Sequence, residues 1–230
     1  MESISSDDQI ISTSYVAFFD LDRTLTRSIS GKALTRAGFR NGLLTPADLL
    51  NALFLSLAFR FNLKDPQKII DDMVSWVKGI PESRIADLCT EVVNRDLFPS
   101  VYGEAIAEIE FHRAKKAKVV ILSSALAPVC KEMAIKLHMD DFICSELEAK
   151  DGDLTGRPLG HLCFAGEKAV RLLAYCERNK FSPSKAWFYS DSITDLPALR
   201  LVGNPVCINP DRKLKKTANK NTWKILTWNS

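Results

Sequence analysis

The segment Tyr15-Val-Ala-Phe-Phe-Asp-Leu-Asp-Arg-Thr-Leu-Thr26 constrains the fold more than any other stretch of the chain. Five apolar residues stop abruptly at Asp20, the pattern of a short strand buried on both faces of a parallel sheet. Three further runs have the same form: Lys118-Val-Val-Ile-Leu122 before Ser123-Ser124, Lys185-Ala-Trp-Phe-Tyr189 before Ser190-Asp191, and Pro205-Val-Cys-Ile208 before Asn209-Pro210. Helical spacing lies between them over residues 101–113 (with Ser100 as N-cap), 128–138 and 167–179. This alternation predicts an α/β fold: a doubly wound, three-layer, Rossmann-like parallel sheet.

One interval breaks the alternation. After Thr26 no second strand signal occurs until about residue 117, and the apolar spacing over 47–61, 67–77 and 85–93 is helical, with Pro46 and Pro66 near helix starts. The expected organisation is therefore a loose leader over 1–13, an α/β core formed by 14–27 and 96–230, and a helical insertion over 28–95. Asp151-Gly152-Asp153, between residues 142–147 and Leu154, reads as the turn of a β-hairpin.

Composition narrows the function classes. The chain has 230 residues and is 46% hydrophobic, enough for a substantial core and too much for a disordered chain. Thirty-one Lys and Arg against 28 Asp and Glu leave a net charge of +3, which argues against a nucleic-acid partner. The six cysteines are scattered, without a C-x-x-C pair or zinc spacing to His112, His138 or His161, and read as reduced core thiols of a cytoplasmic protein. The apolar stretch 49–63 is interrupted by Asn51, Ser56 and Arg60 and falls short of the ~18 residues of a membrane span, so no transmembrane segment is expected. Its apolar residues read first as the buried side of a helix, with peripheral contact with lipid as the alternative. The lysine-rich stretch 212–220 reads as a solvated helix face.

The chemistry gathers where the strands end. Asp20 and Asp22 are two residues apart, so extended backbone sends both side chains to one side. Asp191 and Asp195 arrive from another strand end, and carboxylates converging there form a hard-oxygen site suited to Mg²⁺ and a substrate phosphate. Asp20 is the candidate nucleophile, and Asp22 the candidate acid and base. Ser123, beside Ser124, offers a hydroxyl and N–H groups to phosphate oxygens, and Lys168 balances the gathered negative charge. Each has a plainer reading: Asp195 as N-cap of a helix over 196–200, Ser123 as a strand end or cap, Lys168 as a solvated helix lysine.

These motifs resemble the haloacid-dehalogenase-like superfamily. FFDLDRTLT is similar to its first motif, and LSSA, GEK and YSDSITDLPAL are similar to its second, third and fourth, in the same order. The helical interval resembles the phosphoserine-phosphatase-like subclass, which carries a helical cap after motif one. The resemblance implies a Mg²⁺-dependent phosphomonoester hydrolase working through an aspartyl-phosphate. It implies Asp20 as nucleophile and metal ligand, Asp22 as acid/base with its carbonyl on the metal, and Ser123, Ser124 and Lys168 as phosphate-binding residues. Asp191 and Asp195 are implied on or next to the metal. In phosphoserine phosphatases an acidic residue meets the substrate ammonium where this chain has Ile29, which disfavours phosphoserine. The expected substrate is a small or amphiphilic organic phosphate, with a lipid phosphate or phosphoserine as alternatives and a phosphate-sensing signalling module as the non-enzymatic one. A cap is expected to hinge near Arg27 and near residues 97–100, with Arg27, Arg36 and Arg40 as candidates for an anionic leaving group.

Overall fold

The computed structural model describes residues 15–50, 54 and 74–229. The expected leader, and most of the helices expected over 47–61 and 67–77, lie outside the described residues; residues 46–50 and 54 are helical.

Six strands form one parallel sheet. They are β1 (Val16–Phe19), β2 (Lys118–Leu126), β3 (Asp141–Ser145), β6 (Trp187–Ser190), β7 (Asn204–Ile208) and β8 (Lys224–Leu226), arranged in the order β3-β2-β1-β6-β7-β8. The remaining two, β4 (Leu147–Lys150) and β5 (Asp153–Pro158), make a separate antiparallel hairpin. Strand pleating explains why these runs are apolar throughout. Ala17, Phe19, Val119, Ile121, Tyr189, Val206 and Ile208 point into one core. Val16, Phe18, Val120, Leu122, Phe188 and Cys207 point into the other. Each fully buried Phe contributes about 1.5–3 kcal/mol, so both faces must be covered. Helices Glu82–Val92, Gly103–Ala114 and Ala127–Lys136 cover the first face. Gly166–Arg178, Leu196–Leu199 and Arg212–Asn221 cover the second. All six cysteines are free and buried.

Several local expectations are corrected. Residues 142–147 are not one hairpin strand: Asp141–Ser145 joins the main sheet beside β2, and the hairpin begins only at Leu147. The short edge strand β8 has too few apolar residues to announce itself. Ser100 does not cap the following helix, which starts at Gly103 after Tyr102. Its hydroxyl instead donates to the Leu97 carbonyl, and its Oγ accepts from the Ser28 N–H. In helix Arg212–Asn221, Leu214 and Ala218 are buried while Lys213, Lys215, Lys216 and Lys220 are exposed.

The residues between β1 and β2 leave and rejoin the core side by side. Thr26 bridges Val101, the Arg27 N–H donates to Ser100 (2.8 Å) and the Tyr102 N–H donates to Leu25 (3.0 Å). A second fastening lies at the hairpin. The Gly79 N–H donates to Leu154, the Leu154 N–H to Ile80 and the Glu82 N–H to Gly152. Gly156, at φ +79°, packs so tightly that a Cβ would stand 2.9 Å from Lys78 Cβ and 3.0 Å from the Ser75 carbonyl oxygen. Gly156→Ala is expected to lower the unfolding free energy by about 3 kcal/mol in urea titration. At Gly152 (φ +90°) a Cβ meets nothing within 4 Å, so Gly152→Ala is expected to lose only the backbone part, about 1 kcal/mol. Equal losses at the two positions would contradict the packing assigned to Gly156.

Candidate active site

β1 lies where the strand order turns, with β2 and β3 on one side and β6, β7 and β8 on the other. In open α/β sheets that switch point opens a crevice at the carboxyl edge. Phe19 pairs with both Ile121 and Tyr189, and the Asp20 N–H donates to the Tyr189 carbonyl at 2.9 Å. The register therefore delivers Asp20, Ser123 and Ser190 to the same edge.

Three expected residues meet directly. Lys168 Nζ lies 3.0 Å from Asp20 Oδ1 and 2.8 Å from Asp195 Oδ2, with all three side chains buried. Ala165, with φ +48°, precedes the helix that carries Lys168 and turns the chain sharply into it. Burial by itself would lower the lysine's pKa, but Asp195 and Asp20 outweigh it and hold the ammonium well above its ordinary value. Ser190 Oγ donates to Asp195 Oδ2 at 2.7 Å. Asp195 makes no side-chain capping bond; Ser192 Oγ instead accepts from the Thr194 N–H.

The other carboxylates are held separately. Asp22 accepts from the Ser30 N–H on Oδ1 (2.8 Å) and from Ser30 Oγ on Oδ2 (2.7 Å). Ser30 opens helix Ser30–Arg40, whose N-terminus favours an anion. Ile29 precedes it as the N-cap residue and is half-buried. Burial still raises the Asp22 pKa against those two bonds. Asp191 is approached by Arg23, with Nε 3.6 Å from Oδ2. The Asp191 main chain is fixed by the Asp211 N–H, which donates to its carbonyl at 2.8 Å.

Ser123 is buried and Ser124 exposed, at an irregularity in the β2–β3 pairing between Leu122 and Leu126. Ser123 Oγ accepts from the Ala125 N–H at 3.3 Å, and the Ser124 carbonyl accepts from Ser145 Oγ at 2.9 Å. Such bulges re-aim side chains beside active sites. Both serines stand on the strand next to Asp20, and among the described residues neither side chain bonds to the carboxylates. Arg23 and Ser190 lie inside the first and fourth motifs and Ser30 outside them, but what each touches emerges only from these contacts. Of the arginines expected to face a leaving group, Arg27 lies over the Tyr102 ring, Arg40 pairs with Glu91 and Arg36 is exposed.

Negative charge exceeds positive charge here. Burial pushes Asp20 up to about 6, Lys168 pulling it back while Asp195 and Asp22 add to the rise. Burial, then the charge of Asp20, pushes Asp191 up to about 7 against the pull of Arg23. Among the described residues no three His, Cys, Asp or Glu side chains form a ready metal cage. Mg²⁺ does not need one: it binds through one or two carboxylates, waters and a substrate phosphate. Two buried carboxylates, Asp20 and Asp191, whose charges hinder each other fit that ion.

The raised pKa of Asp191 has a sign that can be measured. Between its unfolded value near 4 and its folded value of about 7, the folded chain holds a proton that the unfolded chain has lost. Stability from this group is therefore full below pH 4 and lost as pH rises to 7. Without divalent cations, Asp191→Asn is expected to be more stable than wild type at pH 8, by on the order of 2–4 kcal/mol in urea titration. The gap should narrow at pH 5; an Asn variant equally or less stable at pH 8 would contradict the charge excess.

Known proteins resemble the chain over most of its length. Residues 17–200 match the family model described as haloacid dehalogenase-like hydrolase. A histidinol-phosphatase of Neisseria meningitidis is 28% identical over 93% of this chain and 98% of its own length. A probable phosphatase of Mycobacterium tuberculosis is 26% identical over 92% of this chain and 75% of its own. Among solved structures, a Bordetella pertussis protein of unknown function superposes with a TM-score of 0.85 at 23% identity, covering 93% of this chain and 98% of that one.

Proposed function

Because the chain belongs to the haloacid dehalogenase-like hydrolases, we propose that it cleaves a small or amphiphilic organic phosphate through a phosphoryl group carried transiently on Asp20. It is a phosphoric monoester hydrolase, as its phosphatase relatives indicate. The observation that carries the finer reading is the Asp20–Lys168–Asp195 bridge. Lys168 and the Leu21 N–H (2.8 Å) both engage Oδ1 of Asp20, which leaves Oδ2 for attack.

In the first step Asp20 Oδ2 bonds to phosphorus and the ester P–O bond breaks, while Asp22 gives its proton to the departing alkoxide. In the second, Asp22 takes a proton from water, whose oxygen bonds to phosphorus and releases inorganic phosphate and Asp20. The raised pKa of Asp22 suits a group that must hold a proton in one step and accept one in the next. Lys168 keeps Asp20 oriented and offsets charge on the phosphoryl oxygens. Ser123, with the N–H groups of the β2 bulge, receives those oxygens. Mg²⁺, held by Asp20, Asp191 and the Asp22 carbonyl, would supply positive charge to the transferring phosphoryl group. Asp195 serves this set by holding Lys168.

Residues 28–95 act in this reading as a cap that excludes water while the ester is cleaved. The Thr26–Val101 crossing is its base, and Ser30 is its contact with Asp22. A lipid phosphate is the second reading, favoured by Leu50 and Phe54, which are 69% and 52% exposed.

Wild-type protein is expected to release phosphate from p-nitrophenyl phosphate with Mg²⁺, and to stop when the cation is chelated. Asp20→Asn should lower kcat by about 1000-fold or more. Full activity in that variant would overturn the reading.

A further inference from the structure

We propose that Arg23 recognises a second oxyanion on the substrate, a carboxylate or another phosphate carried by the alcohol that leaves; this inference rests on the phosphatase reading above. Arg23 sits one residue after Asp22, in the turn that follows β1, with φ +60°. A non-glycine residue in that conformation costs about 1 kcal/mol or more, and such strain persists where neighbours fix the backbone. Here they do: the Thr24, Leu25 and Thr26 N–H groups all donate to the Leu21 carbonyl, and Asp22 is tied to Ser30. The turn therefore fixes the backbone from which Arg23 extends, and its side chain lies toward Asp191.

The side chain reaches the site without being consumed by it. Its closest approach to Asp191 is through Nε at 3.6 Å, beyond hydrogen-bonding distance. Its side chain is 55% exposed, against 7% for Asp191. The guanidinium thus stands at the rim, with its planar fork of donors unspent on the carboxylate beneath it. That fork matches a carboxylate or phosphate, as a point charge does not. Lys168 is no alternative, because it is buried and divided between Asp20 and Asp195. Arg27 and Arg40 are engaged by Tyr102 and Glu91, and Arg36, exposed on helix Ser30–Arg40, has no ion pair to a site carboxylate among the described residues.

The electrostatic setting explains why a rim cation matters. Asp20, Asp22, Asp191 and Asp195 repel any anion beyond the phosphate that the site is built to hold. A substrate carrying two oxyanions needs one placed against a cation outside the carboxylate cluster, and Arg23 is positioned there.

Three phosphomonoesters with closely related leaving groups test this: glycerol 3-phosphate, 3-phosphoglycerate and glycerol 1,3-bisphosphate. Wild type is expected to favour at least one anionic ester over glycerol 3-phosphate by about tenfold in kcat/KM, mainly through KM. Which one it favours identifies the oxyanion. In Arg23→Gln the ratio should fall to near one, and Arg23→Lys should restore part of it. A ratio unchanged in Arg23→Gln, or an equal loss on all three esters as a merely structural turn residue would give, overturns the proposal. Wild type that cleaves p-nitrophenyl phosphate but shows no preference among the three also overturns it. Wild type that cleaves none of the four esters removes the phosphatase reading itself.

Discussion

Lys168 Nζ lies within 3.0 Å of Asp20 and 2.8 Å of Asp195, and the rest of the site is arranged around that contact. None of these three charges is tolerable alone at its depth, since a buried ion without a partner costs several kcal/mol. Together they join the end of β1, the helix over residues 166–178 and the turn after β6. The ammonium compensates only part of the surrounding negative charge. Asp191 has the loose ion pair with Arg23, and Asp22 relies on the two Ser30 donors. The proposed phosphoryl transfer would use that imbalance, since a fully neutralised pocket would have nothing to hold a divalent ion and its substrate together.

The helical segment is fastened at two places, and one of them lies beside Asp22. Its base crosses the core at Thr26 and Val101, and its first helix begins at Ser30, the residue that clamps Asp22. A shift of that helix therefore moves donors away from the Asp22 carboxylate. At the far end, main-chain bonds from residues 79 and 82 to the hairpin, with Gly156 wedged against Lys78, tie the segment to the core a second time. The hairpin thus contacts this segment as the crossing does.

The parts of this architecture that are local in the chain were legible in the sequence. Four apolar runs ending in polar residues located β1, β2, β6 and β7 and put Asp20 and Asp191 just past strand ends, whereas Asp22 lies in the turn beyond β1 rather than in the extended backbone its spacing suggested. The rest depends on contacts between distant residues. Ser30 looks like any helix-start serine until Asp22 is beside it, and Ser190 like a strand end until Asp195 is. Arg23 reads as surface charge until the turn aims it at Asp191. Ser100 offered a plausible cap, but pairing of the two crossing segments claimed its neighbours and moved the helix start to Gly103. Edge strand β8 is three residues long, too short for periodicity to register.

Transient esterification of Asp20 is the centre of the account, and covalent trapping tests it most directly. Wild-type protein is mixed with a radiolabelled phosphomonoester and Mg²⁺, quenched in acid within milliseconds, and digested for peptide mapping. The account predicts an acid-stable, base-labile label of up to one phosphoryl group per chain on the peptide containing Asp20, absent from Asp20→Asn. Label on a histidine or serine peptide, or rapid turnover with no label on any peptide, would contradict it.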